Sequence, residues 1–140
     1  MNYPLKTLNQ LRAEYAYKCV EQVKNTNAAS RYKSLAKKLP QRITYNGLLT
    51  TLAFLKSKAK YEEHLILAHL IFWLERKFPF DPVECKGSNL DPLKKEIEKF
   101  LQDMYTKWDA HELFLKTAEA LAIAQWLKRI AEGELEDESQ

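Results

Sequence analysis

Residues 65–74, LILAHLIFWL, form the most apolar stretch of the 140-residue chain and decide its fold class. A helix through residues 61–77 would be apolar nearly all round in this stretch, which predicts a central helix buried on every side. The stretch contains His69 and is too short to span a bilayer. Other helices must therefore cover it.

Before this stretch, apolar residues recur every three or four positions, which is the period of one helical face. It predicts a first helix whose apolar face comprises Leu8, Leu11, Tyr15, Cys19 and Val23. A short second helix follows, and we place the start of a third at Pro40, because proline suits a first turn. The third helix is expected to run to about Ser57.

Gly47 lies inside that third helix, where a glycine costs about 1 kcal/mol relative to alanine. Close approach by a neighbouring helix is the expected compensation. The alternative is a hairpin turn at Asn46-Gly47, which the leucine-rich run after it disfavours.

Two further helices are predicted after the apolar stretch, beyond a loop marked by Pro79, Pro82 and Gly87. Asp91-Pro92 is a typical helix start, and Asp109 with Glu112 has the spacing of a capping box. Gly133 is expected to end the last helix at about residue 132. The fold class is therefore all-α, a compact single-domain bundle of about six helices over residues 1–132, with an acidic disordered tail over residues 133–140.

Catalytic and metal-binding patterns are missing from the sequence. His64 and His69 are five residues apart, which places them about 140° apart around a helix and unsuited to share a ligand. Phosphate-binding glycine loops and GxSxG are also absent. Cys19 and Cys85 form no CxxC pattern, and Cys19 is expected to act as a small buried hydrophobe. We expect no enzyme activity, cofactor, metal or small-molecule substrate, and, without a signal-peptide pattern or membrane segment, a cytoplasmic protein.

Charge is distributed unevenly, although the net charge is only +3. Residues 1–60 hold twelve lysines and arginines and two acids, a difference of +10, whereas residues 61–140 hold ten and seventeen, a difference of −7. Such asymmetry indicates either a surface for a polyanion or a contact between the basic half of one copy and the acidic half of the next.

The basic residues concentrate between positions 31 and 60, where eight of them occur without an acid. Cations along a helix face are suited to phosphate contacts. Tyr32, Tyr45 and Tyr61 are interleaved with them and are either platforms for unpaired bases or half-buried core residues.

Several segments resemble the small subunit of the type III-B CRISPR effector, the Cmr complex. They are YKSLAKKLP at 32–40, NGLL at 46–49, LAFLKSK at 52–58 and EALAIAQWLKRIA at 119–131, with LRAEYA at 11–16 similar in style. The resemblance covers most of the chain outside residues 78–108. It implies a non-catalytic helical subunit in antiviral defence, whose copies stack head to tail along the guide RNA–target RNA duplex, beside the backbone subunits and the large subunit.

In such a subunit the basic face would border the target RNA strand. The residues we predict to contact RNA are Arg12, Lys18, Lys37, Lys38, Arg42, Lys56 and Lys58. Lys128 and Arg129 have a second explanation, because cations near a helix end also complement its dipole. Two other functions stay open at this point: a structural spacer without direct RNA contact, and a stand-alone nucleic-acid-binding helical protein.

Overall fold

The computed structural model describes residues 5–75 and 91–137, which form five helices and no strand. The helices are α1 (Leu8–Val23), α2 (Ala29–Ser57), α3 (Tyr61–Leu74), α4 (Asp91–Thr106) and α5 (Ala110–Glu134). Because α2 is bent into two parts, this arrangement agrees with the predicted all-α bundle of about six helices. The predicted loop at residues 79–87 and Cys85 lie outside the described residues.

Helix α3 is the centre of the bundle, as its apolar sequence predicts. All ten residues from 65 to 74 are buried, and α3 packs against α2, α4 and α5. His69 is accommodated there because both ring nitrogens have partners: Nδ1 lies 2.7 Å from the Tyr32 hydroxyl and Nε2 lies 2.7 Å from Oε1 of Gln22. A polar ring at the centre of the core is therefore tolerated through hydrogen bonds from α1 and α2.

Helix α1 begins with a complete capping box that the spacing of apolar residues did not reveal. Thr7 Oγ1 accepts from the Gln10 amide at 3.0 Å, and the Gln10 side chain accepts from the Thr7 amide at 2.8 Å. Tyr15, Cys19 and Val23 are buried as predicted, whereas Leu8 at the start of the helix is 43% exposed. Cys19 is fully buried in the core, in agreement with the predicted hydrophobic role.

The predicted boundary at Pro40 is wrong, because α2 continues through this proline. A proline inside a helix removes one backbone hydrogen bond. Pro40 is buried next to Leu39 in sequence, and burial of its apolar ring offsets part of that loss. The break lies seven residues later, at Gly47, where φ is 84° and ψ is 163°.

Gly47 is required by this backbone conformation and not by a close helix contact. A Cβ atom at this position would meet nothing within 4 Å, so the predicted close approach is wrong. Its φ and ψ lie in a region that is essentially restricted to glycine. The hairpin alternative is also wrong, because helical residues flank Gly47 on both sides.

Helices α4 and α5 agree with their predicted starts. Helix α4 begins at Asp91 and buries the apolar residues Ile97, Phe100, Leu101 and Met104. Asp109 caps α5 by accepting from the Glu112 amide at 2.8 Å. Helix α5 packs along α1 and α2 and runs through Gly133 to Glu134, two residues beyond its predicted end. Leu135 is buried, so the packed structure extends past Gly133 at least as far as this residue.

Candidate nucleic-acid interface

The bend of α2 brings Arg42 next to two side chains, Phe54 and Lys58, that would be distant from it in a straight helix. Arg42 and Phe54 are twelve residues apart, which corresponds to about 18 Å along an unbroken helix. In the structure the guanidinium carbon of Arg42 lies 4.5 Å from the centroid of the Phe54 ring. Lys58 Nζ lies 4.8 Å from the same centroid. Arg42, Phe54 and Lys58 form what we call the bend cluster.

Two like charges share one aromatic ring in the bend cluster. Each cation is attracted to the ring electrons, an interaction worth about 0.5–1 kcal/mol at an exposed site. Among residues 5–75 and 91–137, neither Arg42 nor Lys58 forms an ion pair, and Nε of Arg42 is buried without a hydrogen-bond partner. A guanidinium without an acidic partner, placed next to a second cation, is a suitable place for an anionic oxygen.

Other exposed groups continue this surface along the first part of α2. Lys38, Arg42 and Tyr45 are spaced by four and three residues and therefore lie on one helical stripe. Lys37 and Lys38 are exposed, and Tyr45 is 77% exposed. We call Lys37, Lys38, Arg42, Tyr45 and Lys58 the basic face.

The three candidate tyrosines differ in environment. Tyr32 is fully buried against His69, which makes it a core residue, and Tyr61 is half-buried at the start of α3. Tyr45 has an exposed ring that an unpaired base could stack on.

Arg12 is held by the acidic half of the chain. Its Nε and Nη2 atoms each lie 2.7 Å from a carboxylate oxygen of Glu119, and Trp73 Nε1 donates to the same carboxylate at 2.8 Å. The hydrogen bond to Glu119 raises the pKa of the Arg12 guanidinium above its ordinary value. This bidentate pair joins α1 to α5, so the guanidinium already has the kind of partner that a phosphate would provide.

Lys56 and Lys18 also have acidic partners. Lys56 Nζ lies 2.8 Å from Glu98 of α4, and Lys18 Nζ lies 3.5 Å from Glu14 on the same helix. Arg129, near the end of α5, pairs with Glu132 at 3.3 Å. The structure thus separates the predicted cations into those engaged within the protein and those of the basic face.

Phe54 is the functional candidate that the sequence reasoning missed. Its position two residues before Lys56 identified it only as one apolar residue of a helix. The position of Gly47 between Arg42 and Phe54 was the signal available in the sequence. It does not predict the contact, because the bend depends on the φ and ψ that Gly47 adopts.

No metal site or membrane span is found in the described part of the chain. Residues 5–75 and 91–137 contain no group of three histidine, cysteine or acidic side chains that could hold a metal ion. Their helices are either too short or too polar to cross a bilayer. Burial lowers the pKa of His69 to about 3, so this ring is neutral near pH 7.

The comparisons with known proteins agree with the resemblance in the sequence. Residues 8–134 match the family described as CRISPR-associated protein (Cas_Cmr5). The fold is similar to the X-ray crystal structure of a CRISPR-associated Cmr5 family protein from Thermus thermophilus. That match has a TM-score of 0.72 and 22% sequence identity, and it covers 94% of this chain and 100% of the other.

At this identity the structural likeness establishes the fold, and the sequence match establishes the family. The match extends from the first residue of α1 to the last residue of α5. The chain therefore belongs to the Cmr5 family of CRISPR-associated proteins, small subunits of the type III-B Cmr complex.

Proposed function

We propose that this subunit is non-catalytic and contacts the target RNA of the Cmr complex through the basic face. The bend cluster is the observation that carries this proposal. Arg42 and Lys58 meet on Phe54 without an acidic partner in the described residues, and a phosphate oxygen between them would relieve their mutual repulsion. Tyr45 adds a ring on which an unpaired base can stack.

The subunit works within an assembly that includes further copies of itself, the backbone subunits, the large subunit and the guide RNA–target RNA duplex. Its copies stack along that duplex in the cytoplasm, each presenting its basic face to the target strand. One copy with a few phosphate contacts binds RNA weakly. Several linked copies bind the same RNA more tightly, although each copy makes no new contact. Cleavage of the target then belongs to other subunits.

Charge reversal on the basic face tests the proposal. The triple variant Lys37→Glu, Lys38→Glu and Arg42→Glu should weaken binding of single-stranded target RNA, because three phosphate contacts are lost. On single strands each contact contributes about 0.7 to the slope of log affinity against log salt, so the slope should fall by about 2. Fluorescence anisotropy at several salt concentrations measures both quantities, for the assembled complex and for the protein alone.

A matched control is available on α4. Lys94, Lys95 and Lys99 are exposed, and reversing all three changes the net charge by the same amount on another surface. This control should keep the wild-type salt slope, and circular dichroism should show native helix content in both variants. Equal loss of affinity in both variants, or unchanged binding by the complex that carries the basic-face variant, would contradict the proposal.

A further inference from the structure

Residues 134–137 cross the start of α2 and are held there by two lysines. Lys33 Nζ lies 2.9 Å from Oδ1 of Asp137 and donates to the Leu135 carbonyl at 2.9 Å. Lys24 Nζ lies 2.9 Å from Oε1 of Glu134. Buried Leu135 anchors this segment between the two ion pairs. The acidic end of the chain thus returns to its basic half.

Asp137 lies in a groove that is otherwise lined by cations and hydroxyls. The groove has a volume of about 360 Å³, and its lining comprises Ser30, Lys33, Ser34, Lys37, Lys38 and Asp137. Residues 30, 33, 34 and 37 share one side of α2, because they are separated by three or four positions. The hydrogen bond from Lys33, together with the charges of Lys33 and Lys37, holds the pKa of Asp137 below its ordinary value.

The charges in the groove are unbalanced. Three lysines and one carboxylate line it, and the Asp137 side chain is 67% exposed although that of its partner Lys33 is only 12% exposed. A phosphate group offers more acceptor oxygens than the single carboxylate oxygen that Lys33 contacts, and lysine binds both kinds of oxygen by the same charge-assisted hydrogen bonds. Lys33 is therefore able to hold either the Asp137 carboxylate or a phosphate group.

We propose that this groove is a phosphate-binding site for the RNA backbone and that Asp137 is its internal competitor. The identity of the ligand rests on the proposed function, since Lys37 and Lys38 belong to both the groove and the basic face. RNA must displace the Asp137 carboxylate before its phosphate reaches Lys33. Leu135 keeps the carboxylate close to the groove, so the competition is intramolecular and does not depend on protein concentration.

Removal of the Asp137 charge should strengthen RNA binding. An exposed ion pair is a weak competitor, so Asp137→Asn should raise the affinity for a short single-stranded RNA about two- to fivefold at low salt. Glu136→Gln is the matched control, because it removes the same charge from the neighbouring exposed residue, which does not line the groove. Anisotropy titrations should show a larger effect for Asp137→Asn. Equal effects of the two variants, or no effect of Asp137→Asn, would overturn the internal competition.

A titration with inorganic phosphate tests the groove without RNA. Phosphate should shift the backbone amide NMR signals of Ser34 and Asp137 in a saturable manner, at lower concentrations for Asp137→Asn than for wild type. The double variant Lys37→Glu and Lys38→Glu should abolish these shifts. Absence of shifts in the wild type would overturn the site. If phosphate gives saturable shifts but charge reversal on the basic face leaves RNA binding by the complex unchanged, the proposed function is refuted. The phosphate site in the groove would then still stand.

Discussion

His69 lies at the centre of the core, where burial keeps its ring neutral near pH 7. The carboxamide oxygen of Gln22 is an acceptor, so Nε2 carries the proton and Nδ1 accepts from the Tyr32 hydroxyl. The backbone carbonyl of His69 in turn accepts from the Tyr15 hydroxyl. These contacts connect α1, α2 and α3 through one residue, and protonation would put a charge into the core.

This burial predicts a stability change with pH. The pKa of His69 is about 3 in the folded protein, whereas an unfolded histidine titrates near 6.5. Between these values the unfolded chain binds a proton that the folded chain does not, so stability is full above about 6.5 and falls as the pH decreases towards 3. The loss should approach about 1.4 kcal/mol per pH unit across most of this range.

Urea unfolding of wild type and His69→Gln between pH 7 and pH 4 measures this contribution as a difference. The variant should lose less stability on acidification, because the carboxylates titrate equally in both proteins. His111→Gln replaces an exposed histidine and should retain the wild-type slope. Identical slopes for wild type and His69→Gln would show that the ring is not neutral in the core.

At the scale of the elements, the bend in α2 decides how the surface is arranged. Its first part carries Lys37, Lys38 and Arg42, and its second part carries Phe54 and Lys58. Without the bend, Arg42 and Lys58 would be about 24 Å apart along one helix axis. The bend cluster therefore depends on the positive φ of Gly47.

A pair of glycine substitutions tests the role of the bend. Gly47→Ala should lower stability by about 1–3 kcal/mol, because a side chain is strained at this φ and ψ. It should also weaken RNA binding if the variant relieves the strain by straightening α2. Gly133→Ala is the matched control: Gly133 lies in α5 with nothing within 4 Å of its Cβ position, and alanine there should stabilise by about 0.5–1 kcal/mol. Equal changes in the urea unfolding midpoints of Gly47→Ala and Gly133→Ala would contradict the requirement for glycine at position 47.

At the scale of the whole molecule, the two halves of opposite charge neutralise each other in part within one chain. At least five ion pairs join residues 1–60 to residues 61–137, namely Arg12–Glu119, Lys24–Glu134, Arg31–Glu63, Lys33–Asp137 and Lys56–Glu98. Five of the seventeen acids in residues 61–140 are thus engaged with the basic half of the same chain and do not attract a neighbouring copy. The charge asymmetry favours a polyanion at the basic face over a copy-to-copy contact made by charge alone.

Light scattering across salt concentrations distinguishes these interpretations. Without RNA, the mean mass should be the same from about 50 mM to 200 mM salt, a range in which phosphate contacts weaken strongly. A mass that falls as salt increases would instead favour the structural spacer held by opposite charges. Association that persists at high salt would indicate an apolar contact, for which α5 offers the exposed side chains Phe114 and Leu115.

The sequence by itself determined the all-α fold class, the buried position of α3 and the family, although it misplaced the break in α2. Helical periodicity, the Asp109 cap and the apolar stretch at 65–74 depend on neighbours within one or two turns, so they can be read from the order of residues alone. Only the tertiary structure decided which cations are free. Arg12 meets Glu119 across 107 positions, Lys33 meets Asp137 near the other end of the chain, and the bend cluster forms only because Gly47 adopts a positive φ. The availability of a charge is a property of its spatial neighbours, and packing of the helices sets those neighbours.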